Sequence, residues 1–108
     1  MKKLIAIVLV LVMALSLAAC AASGSDVKTY KVGVAIYQYN DNFMTLYRQE
    51  IENYFKTLET DKVKYEITMV DGKSDMAEQT NQIETFITQK MDVIICNLVQ
   101  TSSAEVII

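Results

Sequence analysis

The chain has 108 residues, is 52% hydrophobic, and contains no His, Pro or Trp. Beyond Lys2 and Lys3 it carries 8 Lys and Arg against 13 Asp and Glu, a net charge of about −5. That acidic balance argues against nucleic-acid binding, which needs a basic face, and the sequence holds no His, no serine elbow and no metal-ligand spacing.

Lys2 and Lys3 precede a sixteen-residue uncharged run, Leu4 to Ala19. A membrane-spanning helix needs ~17–25 apolar residues, whereas the apolar core of a secretion signal needs roughly 7–15. The run closes on Leu17-Ala18-Ala19-Cys20, which resembles the lipobox of bacterial lipoproteins. The resemblance implies cleavage before Cys20 and acylation of its sulfur, and two acyl chains suffice for stable anchoring. An uncleaved anchor helix is the competing reading, and the run is short for one. The expected organisation is a signal peptide over 1–19, a lipid-anchored tether of small and polar residues over 20–29, and a folded unit over 30–108. Its location would be extracytoplasmic, on the membrane through Cys20. Cys96, the other cysteine, reads as a small buried hydrophobe within a strand.

From Thr29 onward strand and helix patterns alternate. Lys31 to Tyr37 is a nearly continuous apolar run, which suits a parallel strand covered on both faces. Phe43 to Glu59 is predicted as an amphipathic helix, with Phe43, Leu46, Tyr47, Ile51, Tyr54, Phe55 and Leu58 on its apolar face and Asp41 or Asn42 as cap. Lys64 to Val70 alternates, placing Tyr65, Ile67 and Met69 on one side, as at a sheet edge. Asp71-Gly72 marks a turn, and Asp75 with Glu78 resembles a capping box for a second helix, whose buried stripe is predicted as Met76, Thr80, Ile83 and Ile87. Gln79 to Gln82 reads as a solvated face around Ile83. Val93 to Cys96 is a third apolar strand, and Ser102 with Glu105 forms a second capping box.

The third helix pattern meets Ile108 after about six residues, which gives the expectation that this is the N-terminal part of a longer protein. The fold class is α/β: a βαβαβ portion of a doubly wound parallel sheet, in spatial order 2-1-3. Ligands of such sheets sit beyond the carboxyl ends of the strands, where the winding reverses, here between strands one and three.

Two loops meet at that point, Tyr37-Gln38-Tyr39-Asn40-Asp41-Asn42-Phe43 and Asn97-Leu98-Val99-Gln100. Neither is a glycine-rich phosphate loop, and an enzyme is not expected. Amides and carboxylates bond hydroxyls in pairs, and an aromatic ring suits the C–H face of a neutral polyol. Asp41, Asn97 and Phe43 supply that set. Each has a second reading: Asp41 as a helix cap, Phe43 as part of the buried stripe, Asn97 as a turn residue. Tyr37 and Tyr39 read as wall and packing.

The segments Ile36 to Met44, Gln79 to Ile83 and Asn97 to Val99 resemble the D-galactose/D-glucose-binding proteins of sugar ABC transporters, of type I periplasmic-binding-protein fold. The resemblance covers the chain from about Lys31 and the first third of a family member. It implies that Asp41, Phe43 and Asn97 touch a hexose. It further implies delivery to an ABC permease or, alternatively, presentation to a receptor kinase or chemoreceptor as a sensor. By the same resemblance the full-length protein is a monomer, this chain needs no cofactor or metal, and the family's calcium loop lies in the second lobe.

Overall fold

The computed structural model describes residues 26–108; the signal run, the lipobox and Cys20 lie outside the described residues. The elements follow the order β1 (Lys28–Ile36), α1 (Asn42–Leu58), β2 (Val63–Asp71), α2 (Met76–Thr88), β3 (Val93–Cys96), a 3-10 turn (Thr101–Ser103) and a short α3 (Ala104–Ile107). The three strands form one parallel sheet in the order β2-β1-β3, as the sequence pattern predicts.

β1 is central because it can be buried on both faces. Val32, Val34, Ala35 and Ile36 are fully buried. Alternate residues point to opposite sides. Val32, Val34 and Ile36 meet Met44, Tyr47, Ile51 and Phe55 of α1, together with Tyr65, Ile67 and Met69 of β2. Ala35 meets Ile83 and Phe86 of α2 on the other side. The helices therefore cover opposite faces, which is what makes the sheet doubly wound. Gly33 leaves room for Phe86: a Cβ there would stand 2.6 Å from the ring. Burying that ring contributes about 1.5–3 kcal/mol.

Four sequence expectations are corrected. β1 opens at Lys28, paired with Val63, so Lys28 and Thr29 are the first rungs of the sheet and not the end of a tether. The buried stripe of α1 is Met44, Tyr47, Ile51 and Phe55, while Phe43, Leu46, Tyr54 and Leu58 are exposed. Phe43 is one residue, about 100°, away from Met44 and so points off the sheet. In α2 the buried residues are Gln79, Ile83 and Phe86, and Met76 and Ile87 are exposed. The capping box expected at Ser102 does not form. The Ser103 hydroxyl instead donates to the Gln100 carbonyl, and α3 begins at Ala104 without a side-chain cap. At α2 half of the predicted box is present. Asp75 accepts from the Glu78 N–H at 2.9 Å, whereas Glu78 faces Gln82.

Candidate functional site

Parallel pairing brings the ends of β1 and β3 side by side, since Ala35 stands opposite Cys96 and the Asn97 N–H donates to the Ala35 carbonyl at 2.8 Å. The loops leaving both strands therefore share one edge. The Tyr37 N–H donates to Asn97 Oδ1 at 3.4 Å, a long bond that joins them directly.

Asp41 is the N-cap of α1. Its Oδ1 accepts from the N–H groups of Phe43 (2.7 Å) and Met44 (3.2 Å), and its Oδ2 from the Tyr37 hydroxyl (3.1 Å). These donors, the Met44 and Phe43 N–H groups first and the Tyr37 hydroxyl after them, hold its carboxyl below the usual carboxylate range. Capping uses one oxygen of Asp41 and leaves lone-pair capacity on the other, so its roles as cap and as polar contact are compatible. Phe43 is 66% exposed and stacks on Tyr47 at 6.5 Å between ring centroids. It thus presents a ring at the helix start. Asn97 turns Oδ1 toward Tyr37, and its Nδ2 has no hydrogen-bond partner among the described residues. The three predicted residues lie on this one edge: an anionic acceptor, an amide donor and an aromatic ring. Together they suit a hydroxyl-rich, uncharged ligand better than a phosphate.

Two residues behind this edge were read differently from sequence. Gln79, expected in a solvated face, is 1% exposed. Its Nε2 donates to the Asn97 carbonyl at 2.9 Å and its Oε1 accepts from the Val99 N–H at 2.9 Å, so α2 holds the β3 exit by both ends of one amide. The signal was available: Gln79, Ile83 and Phe86 stand at i, i+4 and i+7, one helix face. Tyr37, read as wall, is a hydrogen-bonding hub. The β2–α2 turn supports it, with Gly72 N–H donating to the Ile36 carbonyl at 2.7 Å and Ser74 N–H to the Tyr37 carbonyl at 2.7 Å. Lys73 and Ser74 both take left-handed backbone angles (φ 52° and 56°) to make that turn. Tyr39 carries the Arg48 guanidinium 3.7 Å above its ring, closing the flank of the first loop.

Residues 32–108 match the family described as periplasmic binding protein domain. The D-galactose/methyl-galactoside binding periplasmic protein of Haemophilus influenzae is 32% identical over 87 residues, which are 81% of this chain and 25% of that protein. The crystal structure of an ABC transporter solute binding protein from Bacillus halodurans with bound myo-inositol matches at a TM-score of 0.59 and 32% identity, covering 79% of this chain and 28% of that one. An ABC transporter solute binding protein from Burkholderia multivorans shares the fold at a TM-score of 0.57 and 15% identity, over 74% of this chain and 29% of its own. The chain thus spans about a quarter of the length of the curated relative.

Proposed function

The chain belongs to the periplasmic binding protein domain family, and from that membership we propose that it forms the first part of an extracytoplasmic binding protein that captures a neutral hexose, galactose or glucose, for an ABC permease. The observation that carries this reading is the shared edge of β1 and β3, where Asp41, Phe43 and Asn97 stand together. Asp41 accepts from a sugar hydroxyl, Asn97 Nδ2 donates to one, and Phe43 covers the apolar face of the ring. The relatives support a small polyol as ligand: one is described by galactose and one holds myo-inositol. Both are solute-binding proteins, and in this reading the chain binds and does not catalyse.

The rest of the site comes from a second lobe in the full-length protein. Closure of the two lobes removes water from the ligand and presents the closed form to the permease. Cys20 anchors the protein by lipid, on the strength of Leu17-Ala18-Ala19-Cys20. Calorimetric titration of the full-length protein with galactose and glucose tests the binding: saturable uptake of one of them is expected, and silence toward both contradicts it. Fatty-acid labelling in cells tests the anchor, which fails if Cys20→Ser still takes up label.

A further inference from the structure

Tyr37, the first residue beyond β1, makes hydrogen bonds at its hydroxyl, its N–H and its carbonyl. The hydroxyl lies 3.1 Å from Asp41 Oδ2 and 3.1 Å from Gln38 Nε2. The N–H points to Asn97 Oδ1, and the carbonyl accepts from Ser74. Gln38 is itself held, its Oε1 accepting from Ser74 Oγ at 2.8 Å.

These partners leave little freedom. An amide Nε2 only donates, so the phenol accepts from Gln38 and directs its single proton at Asp41. A backbone N–H meets only an acceptor, so Asn97 must turn Oδ1 inward and Nδ2 outward. Asp41 Oδ1 is occupied by two backbone N–H groups, and Oδ2 by the Tyr37 proton on one side. One residue thereby sets the free lone pair of Asp41 and the free N–H pair of Asn97. A tyrosine serving only as packing does not need its hydroxyl between an obligate donor and a carboxylate.

We propose that Tyr37 is the positioning residue of the sugar site, orienting Asp41 through its hydroxyl and Asn97 through its backbone N–H. The proposal deepens the functional reading above and rests on it. In this proposal Tyr37 acts on the ligand through Asp41 and Asn97.

The test uses the full-length protein and Tyr37→Phe, which removes the hydroxyl and keeps the ring and the N–H. Galactose and glucose are titrated into the parent, Tyr37→Phe, Asp41→Ala and the double variant, with thermal melts alongside. Tyr37→Phe is expected to weaken binding about three- to ten-fold, because the Asp41 carboxylate is no longer held in place, and to lower the melt by no more than one part-buried hydrogen bond accounts for. In the Asp41→Ala background the same substitution is expected to change affinity less than about two-fold, because the group it orients is gone. Carbon-13 NMR of the Asp41 carboxyl in the sugar-free protein gives a second readout. The groups facing that carboxylate are two backbone N–H groups and the Tyr37 hydroxyl, none of them charged, so its titration midpoint is expected to rise in Tyr37→Phe. If the parent binds while Tyr37→Phe binds as tightly, or loses equally with and without Asp41, the positioning role is overturned alone. If Asp41→Ala binds too weakly to titrate, the carboxyl readout decides, and an unmoved midpoint overturns the role. A parent that binds neither sugar overturns the functional reading, and this proposal with it.

Discussion

Asp41 is the cap of α1 and, in the proposed site, the acceptor for a sugar hydroxyl as well. Its carboxylate starts α1 by accepting from Phe43 and Met44, and the same bonds hold it below the usual carboxylate range. Glu59 at the other end of α1 is also held below the usual carboxylate range, mainly by the Tyr65 N–H and also by Lys64. A carboxylate with a depressed folded pKa binds its proton less tightly folded than unfolded. Its contribution is therefore complete above the unfolded value and is lost as pH falls through the folded one. Both groups should steepen acid unfolding below about pH 4, the ordinary carboxylate value. Melts from pH 6 to 2.5 should show a shallower fall for Asp41→Asn combined with Glu59→Gln than for the parent, and equal slopes would contradict this. Tyr37 and Gln79 were harder to read at this scale. A buried polar side chain is stable only with a partner, and the partners of Gln79 lie 18 and 20 residues ahead in the chain.

At the scale of elements, the strands were legible and the helix faces were not. Continuous apolar runs mark β1 and β3, and alternation marks β2, so order and pairing followed from pattern alone. α1 has more large apolar residues than one face can hold. Spacing alone does not choose among them; packing against Val32, Val34 and Ile36 does. The surplus residue Phe43 is left exposed at the start of α1, and in the proposed site that exposure has a use. In α2 the misreading came from favouring Met76 and Ile87 over Gln79 and Phe86. Gln79→Leu keeps the volume but strands the Asn97 carbonyl and the Val99 N–H, each part-buried. Leaving a buried polar group unpaired costs ~1–3 kcal/mol, so a loss of about 2–4 kcal/mol is expected in urea unfolding. A change below about 0.5 kcal/mol would show that the latch is ornamental.

At the scale of the whole molecule, residues 26–108 place α1 and α2 on opposite faces of three strands, and β2 and β3 each present one open edge. Phe43, Leu46, Tyr54, Ile87 and Val106 are exposed on the helices. Expressed alone, residues 26–108 should associate and unfold without a sharp transition, because open edges template pairing and small cores are marginal. A monomeric mass with a cooperative melt would contradict that. The central claim is that a polyol rests where β1 and β3 end. Its most direct measurement is calorimetric titration of galactose and glucose into the full-length protein carrying Asp41→Ala, Phe43→Ala, Asn97→Ala or Glu66→Gln, the last an exposed residue of β2 paired with Lys31 on the sheet. Binding about ten- to hundred-fold weaker is expected for Asp41→Ala and Asn97→Ala, weaker binding with an unchanged melt for the exposed Phe43→Ala, and parental affinity for Glu66→Gln. Parental affinity in both Asp41→Ala and Asn97→Ala would contradict it, reducing these residues to a helix cap and a turn.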